Sequence, residues 1–154
     1  MQGEMRHGSP HLAAVLAALG ALAFATAAHA GPRMEGAGSV AFGGTKVAHS
    51  LSLDCRTGAA HQRLRVRWAG HTFRLTALTD SFCADGGHTY FGQGAGRLDG
   101  RGGYTAYWRV VDARDADRLR LEIRDDEDAL VLDVGERVLR DGAHHVHSGA
   151  GRRR

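Results

Sequence analysis

Gly44–Cys55 reads GTKVAHSLSLDC, Leu64–Trp68 reads LRVRW and His71–Cys83 reads HTFRLTALTDSFC. In the first segment Val47, His49, Leu51, Leu53 and Cys55 occupy alternate positions, with Ala48, Ser50, Ser52 and Asp54 between them. Successive strand side chains point to opposite faces, so this alternation marks a half-buried strand. The second segment is clearer still: Leu64, Val66 and Trp68 face a core while Arg63, Arg65 and Arg67 face water. Ala69-Gly70 supplies a hairpin turn, after which Phe73, Leu75 and Ala77 continue the inward face.

Upstream, Gly31–Gly38 is rich in glycine and shows no period, which predicts a flexible lead-in over residues 31–38; Ser39–Phe42 is expected to be a short edge strand. Downstream, Thr89–Leu98 places Gly92, Gly94 and Gly96 on one face between Tyr90 and Leu98. Glycine weakens a strand unless something approaches its backbone closely, so a ring from a facing layer, Trp68 or Trp108, is expected on that strip. Alternation returns at Tyr104–Val111, at Leu119, Leu121 and Ile123, and at Leu130, Leu132 and Val134, with a closing strand at Ala143–His147. Short strands punctuated by turn signals, and no helical period after the N-terminus, predict an all-β fold: an antiparallel β-sandwich of about eight strands over residues 39–148.

The N-terminus has a different character. Met5-Arg6, an apolar run from Leu12 to Ala25 and the small-x-small Ala28-His29-Ala30 have the form of a secretory signal peptide over residues 1–30. The apolar run is shorter than the ~20 residues a spanning helix needs, so cleavage is expected and no membrane span should remain. The chain carries 20 Lys+Arg and 17 Asp+Glu. Setting aside Arg6, Glu4 and the terminal Arg152, Arg153 and Arg154 leaves a balanced body, which lacks the electrostatic footprint of a nucleic-acid-binding protein. Residues 149–154 are expected to be a disordered basic tail.

Export would place Cys55 and Cys83 in an oxidising compartment, where a disulfide is the default and a metal–thiolate pair or free thiols are the alternatives. In a flat meander the first and third strands lie ~9.6 Å apart, beyond the ~7 Å limit for bridged Cα atoms. The segment Arg56–Gln62 is therefore expected to cross between sheets, so that the cysteines tie two layers at one end.

GGTKVAHSLSLDC, LRVRWAGHTFRLTALTDSFC, HTYFGQGAGRLDG, GYTAYWRVVDARDADRLRLEIRD and DGAHHVH, in that order over Gly38–His147, resemble the post-COAP domain of secreted bacterial proteins. The loop after Cys83 is shorter than that pattern, and its Gly-Glu-Pro turn near Arg114 is absent. The resemblance implies export, a compact β domain and the cysteine pair; it implies no reaction.

Three histidines, His49, His144 and His147, match positions of the same pattern and form the candidate metal set, imidazole being a ligand for zinc, copper or nickel. The competing reading is a buried, hydrogen-bonded His49 beside solvated C-terminal histidines, since an unpaired imidazole on an apolar face is costly. Asp112, Asp115 and Asp117 and the run Asp125–Asp128 lack EF-hand spacing and suit turn geometry better than calcium. No GxSxG surrounds any serine, and Glu35, Glu122, Glu127 and Glu136 show no acid/base grouping. The sequence therefore points to a secreted, non-catalytic structural or interaction domain without a cofactor, with a cell-envelope component as the candidate partner. The alternative is a module binding a metal ion, or an envelope glycan through exposed Tyr90, Phe91 and Tyr107.

Overall fold

The computed structural model describes residues 31–56 and 62–148. The leader at 1–30 and the basic tail at 149–154 lie outside the described residues, as do residues 57–61 of the segment expected to cross between sheets. Ten strands follow in order: β1 Arg33–Phe42, β2 Thr45–Asp54, β3 Arg63–Trp68, β4 His71–Ala84, β5 Thr89–Leu98, β6 Arg101–Val111, β7 Arg118–Arg124, β8 Leu130–Asp133, β9 Arg137–Val138 and β10 Asp141–His147. All pairings are antiparallel. Among the described residues no helix is long and apolar enough to cross a membrane.

The all-β antiparallel class is present, but the strands form one sheet rather than the two of a sandwich. Its order is β10-β1-β2-β3-β4-β5-β6-β7-β8, with β9 also paired to β7. Alternation of side chains fixes which face of each strand is buried; it does not fix whether facing strands share hydrogen bonds round a curve or stack as separate layers. The sheet curls about one core, in which Leu53, Val66, Phe73, Tyr90, Trp108, Leu121 and Ile123 are all buried.

Residues 33–38 correct the expected flexible lead-in, and β1 is not an edge, because it lies between β10 and β2. Met34 and Val40 are buried, and Gly36 and Gly38 occupy the two inward positions between them. A Cβ on Gly36 would collide with the Ala143 carbonyl oxygen, and one on Gly38 would stand 2.6 Å from that of Asp141. The glycines that hide the period are what let β10 pack against β1.

The cysteines form a disulfide with Cα atoms 5.6 Å apart, yet β2, β3 and β4 are consecutive neighbours in the sheet. The expected crossing between sheets is therefore corrected: the meander is real, and it is β4 that bends. The strand β3 is short and pairs with β4 only from Arg74 back to His71, leaving the second half of β4 without that neighbour. Register shifts at Leu75/Ala77 and Leu78/Asp80 insert two extra residues into β4. At these bulges the Thr76 and Thr79 hydroxyls donate to the carbonyls of Ala95 and Gln93, at 3.1 and 3.0 Å. A bulge bends its strand and sharpens the local twist, which brings Cys83 back to Cys55. The same shift leaves Ala77 exposed instead of inward. Closing 28 residues restricts the unfolded chain by about 3.5 kcal/mol in the chain-entropy treatment.

On the glycine strip of β5 a Cβ at Gly92 would collide with the Trp108 ring, and one at Gly96 with the ring of Phe73. Trp108 takes the expected role, although both rings come from neighbouring strands of the same sheet rather than from a facing layer.

Candidate functional site

The most polar part of the interior is built on β1. His49 of β2 and His144 of β10 lie on opposite sides of it, in register with Gly38 and Gly36. A side chain at either glycine would fill the space the imidazoles use: a Cβ there would fall 3.4 Å from Cε1 of His49 and 3.1 Å from Cδ2 of His144, respectively for Gly38 and Gly36. Across this slot the two Nε2 atoms meet at 2.7 Å, and both residues are buried.

The second nitrogen of His144 determines the protonation pattern. Nδ1 of His144 lies 3.2 Å from the Val111 carbonyl, an acceptor only, so Nδ1 carries the hydrogen and Nε2 presents a lone pair. His49 must then donate from Nε2, which leaves its Nδ1 as a bare, buried acceptor with no partner among the described residues. Burial, reinforced by His144 and opposed by Asp141, lowers the pKa of His49 to about 4. Burial also lowers that of His144, against the pull of the Val111 carbonyl and of Asp117 and Asp112.

The three sequence-selected histidines do not converge. His147 is exposed and sits 3.3 Å from Glu35, on the other side of its strand from His144, as an odd spacing along a strand requires. Two imidazoles ligating one tetrahedral ion at ~2.0–2.1 Å need nitrogens ~3.3 Å apart, whereas these stand at hydrogen-bond distance. Among the described residues no group of three or more His, Cys, Asp or Glu is placed to hold a metal ion. The pair is an internal hydrogen bond, and its neutral imidazoles hold β10 against the body of the sheet.

Asp112 and Asp117, the acidic turn of the sequence, reinforce that hold. The Asp117 carboxylate accepts from the backbone N–H of His144 at 2.6 Å and of Ala113 at 2.9 Å, and Asp112 accepts from Val146 at 3.0 Å. At the start of β10, Asp141 accepts from Ser39 at 2.8 Å and from Lys46 at 2.9 Å, and the Lys46 contact first, then Ser39, holds its carboxyl below the usual range.

A different surface lies on the outer face of β4–β7. Pairing aligns Phe82, Phe91, Arg109 and Arg120 in one cross-strand row, and Asp80, Gln93, Tyr107 and Glu122 in the next. Between and around them runs a groove of about 400 Å³, to which Gly92 and Trp108 also contribute. Phe82 is 64% exposed, Phe91 39% and Tyr107 37%. The Phe82 and Phe91 rings are 6.1 Å apart, and the Arg109 guanidinium stands over Phe91 at 5.5 Å while pairing with Glu136. Tyr90, expected among the exposed aromatics, is instead fully buried: its hydroxyl donates to the Asp54 carbonyl at 3.0 Å, and burial pushes its pKa up to about 12. Phe82 is the member that periodicity did not reveal. Its signal was its parity opposite Cys83, once the two bulges are counted.

The chain matches no protein-family model, no curated protein and no solved structure.

Proposed function

We propose that the protein is an exported, non-catalytic structural or interaction domain held by one disulfide, its partner a component of the cell envelope. The observation that carries the reading is the Cys55–Cys83 bond, since disulfides form and persist in oxidising compartments. The leader-like N-terminus and the resemblance to post-COAP domains favour the same reading. The inward titratable groups are committed to structure as well: the buried His49 and His144 to each other, the half-buried Asp112 and Asp117 to the backbone of β10. Expression in a bacterium with the native N-terminus tests it. A chain beginning at Gly31, recovered outside the cytoplasm and free of reactive thiols by mass spectrometry, is the expected product. A full-length cytosolic chain with two free thiols overturns the proposal.

A second reading, a glycan-binding module, is favoured by the exposed Phe91 and Tyr107 on one face.

A further inference from the structure

We propose that the groove over β4–β7 binds a short oligosaccharide of uncharged pyranose rings, with Phe82 as a principal contact. The inference rests on reading the protein as an interaction domain and gives that domain a ligand class and a site.

The groove has the dimensions of an extended small ligand. Four strands at ~4.8 Å spacing make each cross-strand row ~14 Å long. The volume of about 400 Å³ falls in the lower part of the ~300–1,000 Å³ range of small-molecule sites. Phe82, Phe91 and Tyr107 are its exposed large apolar side chains, a patch too small for a protein interface of ~20–30 residues a side.

Its chemistry is that of a sugar-binding surface. A pyranose ring offers a C–H face, which stacks on aromatic rings, and a rim of hydroxyls, each both donor and acceptor. The aromatic rings meet the first requirement, while Gln93 supplies a donor and an acceptor, Asp80 and Glu122 accept, and Arg120 donates. The charges compensate one another: Arg120 pairs with Glu122 at 2.9 Å, and Arg109 with Glu136. With no strong field of either sign, the groove lacks the electrostatic pull that a phosphate or polyanion site requires.

Two buried donors remain without partners among the described residues. Arg109 Nε is one, and Nε1 of Trp108, a residue only 4% exposed, is the other. Native structures leave few such groups unsatisfied; the Trp108 ring lies on the core side of the sheet, over Gly92, whereas Arg109 stands on the outer face among the residues of this groove. For the Arg109 Nε donor a ligand rich in oxygen acceptors is the complement.

Calorimetry on the purified, folded chain, with β-1,4-linked glucose and N-acetylglucosamine hexamers as probes, tests the site. Saturable binding of either sugar is expected, weakened about tenfold or more by Phe82→Ala and by Tyr107→Ala, as loss of an anchor residue implies. Phe42→Ala, an exposed aromatic of β1 outside the groove, should bind as the parent does. No saturable heat with either probe, or binding indifferent to the groove substitutions, overturns the proposal. So does a dimer in light scattering that Phe82→Ala dissolves, which would give the groove to a second copy. An exported, disulfide-bonded chain that binds neither sugar removes this site and leaves the interaction-domain reading standing; a reduced cytosolic chain that binds does the reverse.

Discussion

The hydrogen bond between His49 and His144 requires a neutral His144, because a proton on its Nε2 lone pair would set two donors against each other, while burial disfavours a second proton on His49. Burial holds the folded-state pKa of His49 at about 4, against 6.5 for the free side chain. Between those values the unfolded chain takes up a proton that the folded chain refuses, so stability declines as pH falls from 6.5 towards 4 and declines no further from this cause below it. At about 1.4 kcal/mol per pH unit, His49 alone should cost the fold about 2 kcal/mol between pH 6.5 and 5. Asp54, Glu122 and Asp141 have pKa values lowered chiefly by Arg56, Arg120 and Lys46, so their contributions are lost only in more acid solution. Urea denaturation at the two pH values is the measurement, with His49→Leu/His144→Leu as comparison. A double variant that loses as much stability as the parent would show that the pH dependence arises elsewhere. His49 on an inward face was legible from the alternation of β2; its partner was not, because His144 and His147 look equivalent until the face of β10 is known.

In β1 the run Met34, Gly36, Gly38 and Val40 has the period of a strand, but two of its inward positions carry no side chain to display it. Sequence periodicity is read from side chains, so glycine required for close approach looks the same as glycine in a loose segment. Gly36→Ala separates the two cases. Its methyl would meet the Ala143 backbone, which cannot swing aside as a side chain can, and a loss of about 1–3 kcal/mol is expected, the usual range for overpacking. Gly102→Ala, on β6 with nothing within 4 Å of the added carbon, should be close to neutral in the same thermal or urea melt. In β4 the missing information is of another kind. The alternation of Phe73 and Leu75 is sound up to the first bulge, and Thr76 and Thr79 bond at both bulges, but nothing in a spacing argument counts an inserted residue. The straight-strand geometry that separated Cys55 from Cys83 failed for that reason, while the pairing of the two cysteines was readable from their number and the leader-like N-terminus.

The whole sheet is open in its backbone pairing, yet its β10 edge is not left bare. Asp112 and Asp117 stand where a neighbouring strand's carbonyls would be and accept from Val146 and His144. The Leu139 N–H donates to the Asp117 carbonyl at 2.9 Å and the Arg140 N–H to that of Ser39 at 2.8 Å, so the β9–β10 turn also bridges the start of β7 and β1. An unpaired edge is a template for association with another chain, and carboxylates there both occupy the donors and repel a second copy. Asp117→Ala should lower stability by about 1–3 kcal/mol by orphaning partly buried donors, with faster amide exchange at His144 and Ala113. Exchange unchanged at those amides would contradict the role assigned to the carboxylate. The turn aspartates stood out in the sequence as a cluster, but their targets lie some thirty residues further along the chain, a distance no local pattern spans.

The adjacency of β1 and β10 has a mechanical side. Arg33 pairs with His147, so the chain enters and leaves the described sheet at one corner. Any segment attached before Arg33 or after His147 pulls on that corner alone, peeling one strand pair rather than shearing the sheet end to end. The outer face of β4–β7 begins three strands away from β1. Tethered by either terminus, the domain keeps that face clear of its own attachment, and the two ends could be joined to each other and the chain reopened at the Asp99-Gly100 turn with every strand pairing intact.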